Sequence, residues 1–318
     1  MNSARNYTLE RYHGPGSRYT CPGCGKTRVF VRYMDMENHA HLADHVGRCN
    51  REIECGYHFK PKQYFEESGN NNPLSRAHYV HPKTATPSPD FISNGYLQSS
   101  MSDALLQGNN FVKYIQSILG YSVAESSIKR FHIGSANRWP GSTVFWQMDS
   151  QGLIRSGKII LFNPETGKRV KKPYPHITWV HKQLIRRQII KTFNLHQCLF
   201  GEHQIMRNDH KTIGLVESEK TAIIASAYLP ELIWMATGSV NGLKSEFLKA
   251  IIGNKIILYP DIKAYERWSK KACELRKVGF NIVTSDLLEN SKFITDVERR
   301  NGLDLADYLP RTGKPGSS

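Results

Sequence analysis

Apolar positions between residues 211 and 310 fall into short continuous runs separated by stretches of helical spacing. Residues 213–217, 232–236, 255–261 and 281–284 read as buried parallel strands, and 219–228, 244–251 and 264–277 between them read as helices. Such alternation predicts a parallel sheet with covering helices. Upstream the pattern changes. Residues 143–149 and 153–162 are rich in β-branched and aromatic side chains, with turns at Ser150-Gln151-Gly152 and Pro164-Glu165-Thr166-Gly167, which predicts an antiparallel meander. Leu105, Leu106, Phe111, Val112, Ile115, Ile118 and Leu119 have helical spacing broken near Gly108-Asn109-Asn110, so two short helices are expected there, and another over 182–191.

Between these regions and the N-terminus lies a stretch rich in Pro and Asn, including Asn70-Asn71-Asn72-Pro73 and Pro87-Ser88-Pro89, which buries little and reads as a linker. The expected organisation is an N-terminal tail over 1–18, a small module over 19–64, a linker over 65–98, a basic α+β region over 99–210, a β/α module over 211–310 and a tail over 311–318.

Charge sharpens this division. The 318 residues carry a formal net charge of +15 and a pI near 9.5, which points to a polyanionic partner. Ten of the basic residues fall within 155–191 against the single acid Glu165, while 211–310 is nearly neutral with fourteen basic and thirteen acidic residues. A basic platform therefore precedes an acid-bearing module. Arg155, Lys158, Lys168, Arg169, Lys171, Lys172, Lys182, Arg186 and Arg187 are interleaved with aromatic residues, of which Tyr174 and Trp179, beside Pro173 and Pro175, are the better candidates for exposure. Cations along a backbone track plus aromatic platforms are what single-stranded nucleic acid needs. No apolar run is long enough for a membrane span, and the polar start lacks the apolar core of a secretory signal, so a cytoplasmic protein with no membrane partner is expected.

In that setting the six cysteines read as ligands or buried thiols rather than a disulfide framework. Cys21-Pro22-Gly23-Cys24-Gly25 is a CxxC knuckle, and Cys49 and Cys55 follow, which makes a candidate four-thiolate structural Zn2+ site. The second pair is widely spaced, so His58 is a rival fourth ligand. Cys198 and Cys273 stand alone and read as packing residues. Arg28, Arg48 and Arg51 near the knuckle suit a phosphate backbone equally as well as a solvated face.

Two acids carry the remaining chemistry. Glu217 ends one apolar run and Asp261 ends another, and the carboxyl ends of parallel strands are where open α/β sheets place ligands. Hard oxygen ligands beside a phosphate suit one Mg2+ ion. Taken singly, either acid reads as strand-end polarity, and Asp261 as a helix cap. Gly214 to Thr221 has the spacing of a P-loop, but Glu219 stands where the second Gly belongs, and its carboxylate would repel a phosphate.

Val216-Glu217-Ser218-Glu219-Lys220-Thr221-Ala222 resembles the glutamate motif of toprim domains in phage and plasmid primases. Leu258-Tyr259-Pro260-Asp261-Ile262-Lys263 stands in the place of their Asp-x-Asp motif, and Asp304-Leu305-Ala306-Asp307-Tyr308-Leu309 resembles their Asp-x-x-Asp-Tyr-Leu ending. With Gly47-Arg48-Cys49-Asn50-Arg51 and the Phe145-Trp146 meander, most of the chain resembles an uncharacterised family of toprim-bearing proteins of bacterial mobile elements. The resemblance implies an α/β protein with an N-terminal zinc ribbon, a central basic α+β region and a C-terminal Rossmann-like toprim sheet. It implies Mg2+ held by Glu217 and Asp261 with Asp304 or Asp307, and toprim roles for Lys220 and Gly238. Its function would be primase-like: binding single-stranded DNA, with metal-dependent nucleotidyl transfer in replication or transfer of the element, and with nucleotides and a replicative helicase as further partners. Lys263 departs from the pattern by replacing the second Asp, which places catalysis in question. A non-catalytic zinc/toprim DNA-binding clamp is thus the alternative, and a metal-dependent nuclease a third.

Overall fold

The computed structural model describes residues 7–51, 55–67, 88–205, 211–313 and 315. The expected linker over 65–98 therefore falls largely outside the described residues. The chain divides into two compact units, Met1–Thr86 and Pro87–Ser318.

In the first unit β1 (Tyr7–Leu9), β2 (Phe30–Asp35), β3 (Gly47–Cys49) and β4 (His58–Phe59) form an antiparallel sheet in that order, followed by helix α1 (Pro61–Glu67). Its core is small: Cys21, Phe30 and Cys49 are buried, with Tyr19, Val29 and Tyr57 packed around them. Close approach between β2 and β3 requires Gly47, because a Cβ there would lie 2.1 Å from the Val31 carbonyl oxygen. A core this size does not hold a module of this length by burial alone.

The second unit begins with helices α2 (Asn94–Ser100), α3 (Asp103–Gln107), α4 (Asn110–Leu119) and α5 (Tyr121–Arg130). The expected break near Gly108 is a cap that also anchors the helix. Buried Asn109 accepts the amides of Phe111 and Val112, accepts Thr143 Oγ1 at 2.8 Å and donates to the Gly134 carbonyl at 3.1 Å. Strands β5 (Ile133–Ala136), β6 (Ser142–Met148), β7 (Ile154–Ile160) and β8 (Ile177–Trp179) make the antiparallel meander, and α6 (Val180–Arg186) follows. α6 is shorter than the 182–191 expected; the chain turns at Gln188, whose φ is 58°. α5 is an element the spacing did not predict, since its sequence is Ser-rich and only Ala124, Ser127 and Ile128 on it are buried.

Then come β9 (Ile213–Val216), α7 (Glu219–Tyr228), β10 (Ile233–Ala236), α8 (Ser245–Leu248), β11 (Ile256–Leu258), α9 (Tyr265–Lys277), β12 (Ile282–Thr284), α10 (Asp296–Asn301) and α11 (Leu305–Tyr308). The strands are parallel in the order β10-β9-β11-β12. The strand expected over 255–261 stops at Leu258, freeing Asp261 from the ladder. The architecture is thus the expected one: a four-cysteine ribbon, an antiparallel α+β region and a parallel four-stranded sheet with helices.

One apolar core joins the two sheets of this unit. Phe111, Ile115, Phe145 and Ile160 pack with Val216, Ile223, Ile224, Trp234 and Leu305. The opposite face of the parallel sheet buries Leu215, Met235 and Leu258 against Leu248 and Trp268. The opposite face of the meander buries Val144, Trp146 and Ile159 against Val180 and Leu184 of α6. Because alternate strand residues face opposite ways, the meander is covered on both sides. Among the described residues no helix is long and apolar enough to cross a membrane.

Candidate metal and phosphate cleft

The ribbon brings Cys21, Cys24, Cys49 and Cys55 together with ligand atoms all within 4.8 Å of one another. The Cys21 turn closes by a Gly25 amide to Cys21 carbonyl bond of 2.8 Å, with Gly25 at φ 66°, and Cys49 enters from β3. This four-cysteine cluster is consistent with a structural Zn2+. The Lys26 amide draws the Cys24 thiol down to about 7, whereas burial pushes Cys49 up to about 12. A thiolate there needs a cation, which is what the tetrahedral set would receive. His58 is turned to Tyr33, its Nε2 2.9 Å from the phenol oxygen, and lies outside the cluster. Arg51 leans toward the cluster, Nη1 3.9 Å from Cys24 Sγ, while Arg28 is exposed and Arg48 half-buried.

In the second unit, β10 leaves β9 on one side and β11 lies on its other side, so the crevice beyond the ends of β9 and β11 is a topological switch point. Glu217 follows β9 and Asp261 follows β11, and both line a cleft of about 570 Å³. Ser218 caps α7 by accepting the Thr221 amide at 3.1 Å, and this turn presents Glu217 beside the first helical turn. Asp261 occupies the cap position of a short 3-10 turn, but its side chain makes no cap bond. Helix capping therefore does not account for its presence.

Burial raises the carboxyls of both Glu217 and Asp261. At Glu217, Arg169 and Lys158 work against that rise, with the Val240 amide also assisting the charged form. At Asp261, Asp304 and Glu217 add to it, and the group is pushed up to about 8. Crowded, partly dehydrated negative charge of this kind is relieved by a cation, which is the physical sense in which these residues fit a hard divalent ion.

Asp304 and Asp307 line the same cleft but are differently engaged. Asp304 caps α11, accepting the Asp307 amide at 2.9 Å, and Lys220 Nζ lies 3.3 Å from Asp304 Oδ2 and 3.4 Å from Asp307 Oδ1. Lys168, Arg169, Lys171 and Lys172, all exposed, line the cleft as well. Lys171 and Lys172 sit in a loop closed at its base by the His176 amide to Val170 carbonyl bond of 3.0 Å. In the same loop Tyr174 is half exposed and stacked on His176, centroids 4.6 Å apart.

Of the other residues marked in the sequence, Lys158 and Gly238 line the inner wall of the same cleft together with Glu219, and the rest lie elsewhere. Lys158 is internal, with 6% of its surface exposed; its Nζ is 3.0 Å from Glu219 Oε1 and 2.7 Å from the Gly238 carbonyl. Glu219, 3% exposed, is its partner, a pairing that neither the P-loop spacing nor the glutamate motif points to. Gly238 has φ 76°, and a Cβ on it would stand 3.3 Å from Glu219 Oε1, so glycine is suited to the site on both counts. Arg155 is bonded to buried Asp149 at 2.7 Å and lines a different pocket. Lys182 and Arg186 ride on α6 and Arg187 follows at its C-terminal cap, on the side of the meander opposite Phe145 and Ile160, and Trp179 lies near His181. Lys263 is exposed, with its stem against Gly302, and is not among the residues lining the cleft.

Residues 109–262 match the model of a domain of unknown function (DUF6371), and residues 5–70 match that of a zinc beta-ribbon finger. No curated protein matches the chain significantly. Among solved structures, the E. coli primase catalytic core is 13% identical, with 69% of this chain and 80% of that chain covered and a TM-score of 0.40. The primase fragment of the bacteriophage T7 primase-helicase protein is 14% identical, covering 84% and 88%, with a TM-score of 0.36. The zinc-binding and RNA polymerase domains of Aquifex aeolicus primase are 13% identical, covering 87% and 73%, with a TM-score of 0.32. These likenesses are distant.

Proposed function

We propose that this chain is a primase-like toprim protein that binds single-stranded DNA and carries out Mg2+-dependent nucleotidyl transfer during replication or transfer of a bacterial mobile element. The observation that carries this reading is one cleft in which Glu217 and Asp261 face the exposed cations Lys168, Arg169, Lys171 and Lys172. Acids that fit a divalent ion and cations that fit phosphates are thereby brought to one place.

Glu217 and Asp261 would hold the magnesium, which when bound shields the charge on phosphoryl oxygens. The chain's own work is positioning. Arg169 and the two lysines of the 171–172 loop hold backbone or nucleotide phosphates in register, and Tyr174 offers a face on which a base stacks. The Lys158–Glu219 pair fixes the turn at Gly238, and so the side of the cleft next to Glu217, to strand β7. Phosphoryl transfer needs little more from a protein than such placement and charge. The ribbon would contribute template contacts through Arg28 and Arg48.

The test is primer synthesis and nuclease assays on single-stranded DNA with Mg2+ or Mn2+ and all nucleotides, comparing wild type with Glu217→Gln and measuring binding in parallel. Product from the wild type that disappears in the variant at unchanged binding supports the enzyme. Tight binding without product from either sinks catalysis and leaves the second reading, a DNA-binding accessory protein, which Lys263 in the place of an aspartate favours.

A further inference from the structure

Besides Glu219, which Lys158 holds, four acids line the cleft, and they form two different pairs. Asp304 Oδ1 accepts the Asp307 amide, and its Oδ2 lies 3.3 Å from Lys220 Nζ and 3.4 Å from Thr221 Oγ1. Asp307 Oδ1 faces the same ammonium at 3.4 Å. Lys220 is largely enclosed, its side chain 13% exposed, so this charge is held between the two carboxylates rather than moving in solvent. In contrast, no described residue donates a hydrogen bond to the Asp261 carboxylate. Glu217 has the Val240 amide and the more distant charge of Arg169 beside it. Among the described residues the four acids do not close into one metal-binding group as the cysteines do. One pair is thus open toward a ligand, and the other already has its cation.

We propose that Lys220 is a built-in substitute for a second metal ion: the cleft takes one divalent ion at Glu217 and Asp261, while Asp304 and Asp307 hold the Lys220 ammonium against the other flank of a bound phosphate. An ammonium has three N–H donors. Two are directed to the aspartates and the third is left for a phosphate oxygen, in a cleft that Lys220 itself lines. A fixed single charge within an enclosed site repels a second divalent ion strongly enough to set the stoichiometry. The lysine that sets it is Lys220; Lys263, the substitution visible in the motif, lies outside the cleft lining. This inference rests on the reading of the cleft as a metal and phosphate site.

The experiment is Mn2+ binding to the full zinc-loaded chain, followed by calorimetry and by electron paramagnetic resonance, which distinguishes one ion from two coupled ions. The expected result is one uncoupled Mn2+, weakened at least about tenfold by Glu217→Gln or Asp261→Asn and little changed by Asp307→Asn. Lys220→Met should admit a second ion and give a spin-coupled spectrum, while Lys220→Arg should keep one. Two coupled ions in the wild type overturn the proposal and leave the metal-cleft reading standing. Loss of the ion in Asp307→Asn also overturns it. No cleft ion at all overturns both. Should Lys220→Met fail to fold, the wild-type stoichiometry and the Asp307→Asn and Lys220→Arg variants still decide. One bound ion without primer synthesis sinks only the enzymatic reading.

Discussion

In the unit Met1–Thr86, four thiols lie within 4.8 Å of one another around a tight turn; in the unit Pro87–Ser318, five carboxylates spread along one cleft, one against Lys158, two against Lys220 and two open. A closed, soft ligand set suits an ion that only holds a small module together, whereas hard oxygen ligands with open positions would suit an ion that exchanges waters and phosphates. Charge balance follows the same division. Arg51 is the cation beside the thiols, while the cleft is balanced by Lys158, Lys220 and Arg169 from three separate segments.

Stripping the metal breaks this comparison most severely. Cys49→Ser or a strong chelator is expected to unfold the first unit, since structural zinc contributes roughly 10–16 kcal/mol to such modules, while the second unit keeps its own transition. Chelator titration followed by amide NMR checks this; a ribbon that stays folded without metal would remove the contrast. Next in size is Lys158→Ala, which leaves Glu219 buried and unpaired and is expected to cost about 3–5 kcal/mol in the second unit. Denaturant unfolding measures it, and Lys158→Ala with Glu219→Ala should cost less than Lys158→Ala alone.

Acid sharpens the contrast further. Burial holds His203 down to about 4, from 6.5, while its Nε2 donates to the Arg130 carbonyl at 2.9 Å. The unfolded chain takes up this proton near pH 6.5 and the folded chain does not. The stability contributed is complete above that pH and is lost as pH falls toward 4. His203→Gln should flatten that limb of the second unit's pH–stability curve by up to about 3 kcal/mol; an unchanged limb would show that His203 is not the group responsible. The smallest effect concerns charge on the two faces of the meander. Lys171→Ala and Lys172→Ala should each lower the salt slope of single-strand binding by about 0.7, with Arg186→Ala leaving it unaltered. Equal slopes for all three would mean that the nucleic acid does not follow the cleft.

Much of the fold was legible from spacing. The helix expected over 219–228 is α7, and the four parallel strands lie within the predicted runs, because short β-branched runs between helical stretches have few ways to be buried other than in a covered sheet. The CxxC knuckle located the thiol cluster since half its ligands are local. α5 escaped because a Ser-rich helix with few buried residues has little periodicity. Cys55 was the expected fourth ligand and joins the cluster, while the rival His58 is turned to Tyr33.

Sequence by itself thus determined the order of the expected strands and helices, the cysteine quartet and the two acids at strand ends, because each is written in local spacing and residue chemistry. Only the tertiary structure decided which charges are spoken for. Lys158 meets Glu219 across 61 residues and Lys220 meets Asp307 across 87, and no local pattern reports such pairings. Two lysines indistinguishable by type are therefore separated by burial: Lys158 becomes an internal strut, and Lys171 remains a surface cation facing the cleft. The physical reason is that a strand's period assigns a side chain to one face, whereas what covers that face is set by chain folding over long range.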